Sequence, residues 1–194
     1  MFEYYYDYLR DIHLVEIPEG FTYINTTADT DVYLNDNYIP FGFGYDSYIT
    51  ESELKAYSGA DVSTMLHTLV IEDDDEEYVS GYLDHCTNLT SNVSADSKDR
   101  LASASKSFTA DAEGFTAEFN NPKEMLIFFS VPYDEYWQAA IDGRKTEFIR
   151  ANLGFMAVAV PSGEHIVEFS YHNPALLPGA ALSAFGAVAC AVYI

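Results

Sequence analysis

A chain of 194 residues that is 48% apolar is long enough to bury a core without staples, and its two cysteines, Cys86 and Cys190, define no disulfide framework. With 31 acidic against 9 basic residues the net charge is −22, which repels phosphate backbones and excludes nucleic acid as a partner. Only Arg10 and Lys55 among the basic residues precede residue 98, so the first half carries most of the imbalance.

Met1 leads into Phe2-Glu3-Tyr4 with neither a basic region nor an apolar core, so no secretory signal is read there. Phe2, Tyr4, Tyr5, Tyr6 and Tyr8 crowd the start, as aromatics do at a membrane-water interface or in an ordinary packed helix or strand. Residues 21–25 and 31–34 read as short strands joined by a polar connection. Asp29-Thr30-Asp31 in that connection imitates an acidic DxD motif, a triplet that an acidic chain produces readily. Gly and Pro punctuate residues 39–44 too heavily for a central strand, so this stretch is irregular or an edge. Thr50 and Glu53 form a capping-box pattern that starts a helix near residue 51. After a break at Ser58-Gly59, Asp61 caps a second predicted helix in which Val62, Met65, Leu66, Leu69 and Val70 recur at helical spacing.

Residues 72–105 are polar and serine-rich and read as a linker or flexible loop, with helix from 97 to 105. The acid run 73–77 lacks the alternating ligands and central glycine of an EF-hand, and the five histidines show no metal spacing. No metal and no cofactor is therefore expected.

From Lys106 onward the pattern changes to strands: 108–110, 115–119, the apolar run 125–131, 137–141 and 145–149. Asp142-Gly143 predicts a two-residue type I′ hairpin that pairs Ile141 with Arg144, Ala139 with Thr146 and Trp137 with Phe148. Residues 155–160 are apolar at every position and call for cover on both faces, while His165, Val167, Phe169 and Tyr171 share one side. Together these elements predict a mainly β fold, an antiparallel β-sandwich of jelly-roll or immunoglobulin-like type with a few short helices packed on it. The principal sandwich strands fall in residues 106–173, with strands, short helices and a polar loop from 1–105 packed against them. Residues 175–194 carry no charge and many small side chains, which reads as a membrane span or as a buried helix or strand.

Several segments resemble the extracellular C-terminal region of the YfhO family of polytopic bacterial membrane proteins. Residues 128–134, FFSVPYD, followed by Trp137 and Gly143, then Asn152 and Gly154-Phe155-Met156-Ala157-Val158, with Val160-Pro161 and Gly163, are similar to a family pattern FFSVPYD-x-GW, then VN-x-GFMAV-x-VP-x-G. Upstream and in the expected order, Val32-Tyr33-Leu34-Asn35 and Ile39-Pro40-Phe41-Gly42-Phe43-Gly44-Tyr45 resemble its VYEN…LP-x-GF-x-Y segment. The family's Gly before the tryptophan is Tyr136 here, and Val of the VN pair is Ala151. If that Gly has a positive φ in relatives, Tyr136 cannot copy it cheaply. In the family a final membrane helix follows a strand of the type Phe169-Ser170-Tyr171, so the resemblance implies that 174–194 is the start of a membrane helix, truncated.

The resemblance further implies a membrane glycosyltransferase of the GT-C type as the parent, linked to decorating lipoteichoic acid, with its catalytic acids elsewhere. This chain is then expected to be a non-catalytic extracytoplasmic domain. Its expected partners are the parent's membrane helices and a cell-surface glycan or lipid-linked sugar. Tyr133, Asp134, Tyr136 and Trp137 are the candidate glycan contacts, because aromatic faces stack on sugars and a carboxylate accepts hydroxyl hydrogen bonds. Packing competes for Trp137, turn-capping for Asp134, and Tyr136 points to the opposite side. A stand-alone carbohydrate-binding module and a soluble glycosidase-like enzyme are the alternatives, the latter requiring two converging carboxylates.

Overall fold

The computed structural model describes residue 17 and residues 20–27, 30–57 and 63–193. The aromatic cluster at 2–8, Asp29, the break at Ser58-Gly59 and the cap at Asp61 lie outside the described residues. The chain divides into two compact units, Met1–Tyr38 and Ile39–Ile194.

The first unit holds one antiparallel hairpin, β1 (Phe21–Thr27) and β2 (Thr30–Asn35), whose ladder closes at Thr27 and Thr30. Asp31 accepts from the Thr26 hydroxyl at 2.6 Å, which in turn meets the Tyr23 hydroxyl at 2.7 Å. Its carboxylate is therefore occupied in stabilising the turn.

The second unit is built on two sheets. Strands β7 (Ser107–Ala110), β8 (Gly114–Asn121), β10 (Trp137–Ile141), β11 (Arg144–Thr146) and β14 (Gly163–Tyr171) form a five-stranded antiparallel sheet in the order β11-β10-β14-β8-β7. Alternation decides its faces: Phe115, Ala117 and Phe119 of β8 point inward with Ala139 of β10 and Val167 and Phe169 of β14. They meet Met125, Ile127 and Phe129 of β9 (Met125–Phe129) and Met156, Val158 and Val160 of β13 (Phe155–Val160). The two apolar faces make the interior of a β-sandwich.

The other sheet has seven strands, ordered β3-β9-β13-β12-β5-β4-β6. Besides β9 and β13 it contains β3 (Phe43–Gly44), β4 (Ser47–Thr50), β5 (Leu69–Ile71), β6 (Asp84–His85) and β12 (Ile149–Ala151). The pairings of β4 with β5 and with β6 are parallel and the remainder antiparallel. Because β9 and β13 are apolar on both faces, their outer side chains Leu126, Phe128 and Ala157 form a second core with Tyr45, Tyr48, Leu69, Ile71, Val79 and Leu83. Residues 39–105 are thus woven into a sheet of the sandwich as well as packed over it.

The helices are short. Thr50 caps α1 (Glu51–Ala56) through the expected box: its hydroxyl accepts from the Glu53 amide at 3.3 Å while Glu53 Oε2 accepts from the Thr50 amide at 3.1 Å. The second predicted helix is corrected: α2 covers only Thr64–His67, and Leu69 and Val70 continue as β5. Leu69-Val70-Ile71 is fully buried, and a three-residue apolar run fits a central strand as well as a helix face.

The reading of 72–105 as a flexible linker is also corrected. A 3₁₀ turn (Asp73–Asp75), α3 (Glu76–Val79), β6 and α4 (Val93–Ala102) fill it. Val79 and Leu83 enter the outer core, Cys86 and Leu89 join Ile49 and Val70, and Asn92 caps α4 by accepting from the Ala95 amide at 3.0 Å. The segment is polar yet ordered because most of its buried polar groups have partners, Ser97 Oγ and Arg100 Nε being exceptions. Asp96 receives bonds from Ser91 at 2.8 Å and the Asn92 amide at 2.8 Å and pairs with His67 at 2.9 Å. Arg100 donates to the Gly44 carbonyl at 2.8 Å and lies 4.6 Å over the Tyr45 ring.

The chain ends in α5 (Leu176–Tyr193), with Pro178 in its first turn, where a missing amide costs nothing. Leu182 and Phe185 are 73% and 74% exposed. No helix among the described residues is long and apolar enough to cross a membrane; the 18 residues of α5 rise about 27 Å against a hydrocarbon core of roughly 30 Å.

Candidate functional site

The segment from Ser130 to Tyr136 crosses from β9 to β10, leaving one sheet for the other, and Asp134 organises the crossing. Its Oδ1 accepts from the Tyr136 amide at 2.9 Å, its carbonyl from the Trp137 amide at 3.2 Å, and its Oδ2 from the Tyr171 hydroxyl at 3.4 Å. This is an Asx turn, so Asp134 takes the turn-forming role. Neither the break between β9 and β10 nor Tyr136 requires a positive φ; the described non-glycine residues that have one are Asp142, Asn152 and Leu153. The departure from the family glycine is thereby accommodated without strain.

The candidate residues diverge from this turn. Tyr136 is 40% exposed and points outward. Its pKa is raised first by neighbouring Glu135, then by burial and Asp134. Trp137 is half-buried, its indole donating to the Pro132 carbonyl at 3.2 Å and its ring 5.7 Å from Phe115, 6.3 Å from Phe169 and 5.1 Å from Tyr171. The Trp137–Phe148 cross-strand pair is corrected: the β10–β11 ladder stops at Ala139 and Thr146, and Trp137 lies opposite Tyr171 of β14. Phe148 turns instead onto Phe169 at 5.3 Å and Tyr133 at 5.6 Å.

Tyr133 and Trp137 border two adjoining clefts on the open side of the sandwich, between edge strand β11 and the 3₁₀ turn with α3. One, of about 480 Å³, is lined by Asp75, Tyr78, Trp137, Gln138, Lys145 and Phe148 among others. The next, of about 500 Å³, shares Asp75, Phe148 and Ile149 and adds Glu72, Tyr133 and Arg150. Arg150 donates to Glu72 at 2.8 Å, while Asp75 and Glu147 also line the clefts; burial, then Glu72 and Asp74, push the Asp75 pKa up. Burial also pushes the Tyr78 hydroxyl up to about 12. Asp134 and Tyr136 line neither cleft.

Chemically the clefts offer aromatic faces beside the carboxylates of Glu72, Asp75 and Glu147, a guanidinium, an ammonium and a side-chain amide. That set suits a neutral polyhydroxylated ligand, whose hydroxyls both donate and accept and whose C–H faces stack on rings. Asp75, Tyr78 and Arg150 were not legible as site residues, because the acid run reads as solvated and Arg150 falls just past the strand expected over 145–149. On the other side of Trp137 a more apolar groove of about 470 Å³ runs between Phe41, Phe108, Phe115, Val131 and Tyr171.

Other sequence signals resolve into structural roles. His85 pairs with Glu53 at 3.0 Å, and His165 with Asp142 at 2.7 Å. Asp73 accepts from Ser52 at 2.9 Å. Both cysteines are free: the Cys86 thiol donates to the Asn88 carbonyl at 3.2 Å, and Cys190 is exposed on α5. Among the described residues no group of three or more His, Cys, Asp or Glu side chains is placed to hold a metal ion.

The two resembling blocks touch. Phe43 and Gly44 pair with Phe128 and Ile127, the Tyr45 amide donates to the Leu126 carbonyl at 3.4 Å, and Asn152 Nδ2 donates to the Tyr45 hydroxyl at 3.2 Å. Asn152, buried at φ +46, also accepts from the Val70 amide at 2.8 Å, and the Tyr45 hydroxyl donates to the Met65 carbonyl. Gly42 has φ +81, and a Cβ there would meet Phe129 Cε1 at 2.7 Å. The shared residues therefore build the seven-stranded sheet.

These features define the class: a mainly β sandwich domain with an exposed apolar helix at its C-terminal side. Residues 98–183 match the family model described as bacterial membrane protein YfhO, which supports the resemblance to that family. No match was found among curated proteins or among solved structures.

Proposed function

We propose that this chain is a non-catalytic, extracytoplasmic domain of a polytopic bacterial membrane protein that takes part in glycosylating cell-surface polymers such as lipoteichoic acid. The carrying observation is that the family match runs without a break from α4 through the sandwich strands into α5. The apolar helix therefore belongs to the same unit as the sandwich, and in this reading α5 begins a membrane segment that holds the domain at the bilayer. The clefts beside β11 then bind the neutral sugar part of a glycan or lipid-linked sugar through Tyr133, Trp137 and Phe148.

The second reading, a carbohydrate-binding module acting alone, is favoured by the same clefts and disfavoured by α5. The glycosidase-like alternative needs two converging carboxylates; Glu72 is tied to Arg150, which leaves Asp75 and Glu147 of the first cleft as its pair, and the hydrolysis assay decides it. Two assays test the proposal. Deleting residues 39–171 from the parent gene should lower the sugar content of the surface polymer while the parent's helices still insert. The purified chain should neither transfer nor hydrolyse neutral disaccharides; measurable hydrolysis would overturn the non-catalytic assignment.

A further inference from the structure

The aromatic corner of the sandwich lies beside the point where the chain leaves for α5. Tyr171 closes β14 opposite Trp137, and the His172 amide donates to the Tyr136 carbonyl at 3.1 Å. His172 is thus clamped to the corner, and α5 begins at Leu176, within about 14 Å for an extended chain. Around the clamp Tyr136 is exposed, Tyr171 is at the edge of exposure, and Phe41 is 45% exposed while stacked on Phe108 at 4.9 Å. The apolar groove lined by Phe41, Phe108, Val131, Trp137 and Tyr171 opens here.

Two things on this corner favour one occupant. Its rings carry polar tips, the Tyr hydroxyls and the indole N–H, on apolar bodies, which is the chemistry that collects at the headgroup level of a bilayer. It is also continuous along the chain with an apolar helix whose Leu182 and Phe185 are uncovered. The groove includes no lysine or arginine, and Asp111 and Glu113 stand on its rim, so neutral headgroups fit it and anionic ones are opposed.

We propose that this corner seats in the headgroup layer of the membrane that α5 enters, with Trp137 and Phe41 as its contacts. The inference rests on the membrane reading of α5 and adds a docking face on the sandwich itself. Trp137 is the chain's only tryptophan and reports on its own contact. The full chain would be mixed with phosphatidylcholine vesicles, with co-sedimentation read beside tryptophan fluorescence, using lipids brominated either near the glycerol or deep in the acyl chain.

The expected result is co-sedimentation, a blue shift, and several-fold stronger quenching by the shallow than by the deep bromines. Phe41→Glu should remove most of that quenching while co-sedimentation persists through α5. Replacing half the lipid by phosphatidylglycerol should weaken quenching at low salt, and moderate salt should restore it. Co-sedimentation without shallow quenching would overturn the docking face while sparing the reading of α5. Absence of co-sedimentation would overturn both. Fluorescence that responds to a neutral disaccharide and not to lipid would leave Trp137 to the sugar cleft and also overturn the inference.

Discussion

Asn152 links two parts of the chain that are far apart in sequence, through its bonds to the Val70 amide and the Tyr45 hydroxyl. Its φ of +46 is one that Asn tolerates better than most residues. Asn152→Ala should therefore cost about 3 kcal/mol in urea unfolding, because it leaves a buried amide unpaired and strains the backbone. The next residue offers the opposite test. Leu153 is 44% exposed at φ +66, so Leu153→Gly should raise stability by about 0.5–1 kcal/mol. Trp137→Ala should cost about 3 kcal/mol, since half of the ring is packed, against less than about 0.5 kcal/mol for Tyr136→Ala.

Asp142 and His165 make a pH-dependent pair at the hairpin. The Ile166 amide and His165 hold the Asp142 pKa down, while Asp142 and then the Ser162 carbonyl hold the His165 pKa up. The Asp142 contribution is present above the ordinary carboxylate value and is lost as pH falls through its lowered folded value. The His165 contribution is full below the ordinary imidazole value and is lost as pH rises through its raised folded value. An NMR titration should show the His165 midpoint falling in Asp142→Asn; an unchanged midpoint would remove Asp142 as the cause. The hairpin itself was legible, because Asp142 and Gly143 take φ +51 and +75 as a type I′ loop requires. The Asn152 linkage was not, since a buried amide leaves no mark in hydropathy spacing.

Among the elements, those with a local cause could be read from sequence: the Thr50 box, most strands of 106–171 and the edge character of 39–44; the strand expected over 145–149 instead stops at Thr146, and Ile149 opens β12 in the other sheet. What was misread depends on distant partners. Leu69 to Ile71 forms a strand because β4 and β12 flank it, and nothing within those three residues says so. Residues 72–105 look soluble because Asp96 and Arg100 are polar, yet His67 and Ser91 bond Asp96 and Arg100 donates to the Gly44 carbonyl. The Cys86 amide donates to the Tyr48 carbonyl at 2.7 Å, which holds β6 beside β4. Two thiols make this testable. A maleimide should modify exposed Cys190 rapidly in the native chain and buried Cys86 only slowly; comparable rates would mean that 72–105 is open after all.

For the whole molecule, the sandwich was legible in the alternation of β8, β10 and β14 and in the doubly apolar β9 and β13. The weaving of residues 39–71 into the larger sheet was not, because its parallel pairings give no hairpin signal. The candidate site was legible in part: Tyr133 and Trp137 reach the clefts, whereas Asp134 is used by the turn and Tyr136 faces away from them. None of the described side chains of α5 belongs to a buried core cluster, while the charge of −22 keeps the rest of the surface soluble. The helix is therefore expected to serve the membrane and the sandwich to fold without it. The most direct measurement compares the full chain with one ending at Asn173, by thermal unfolding and vesicle co-sedimentation together. The shortened chain should unfold at nearly the same temperature, remain monomeric and leave the vesicles; if it unfolds where the full chain is stable, α5 belongs to the core and the membrane reading is contradicted.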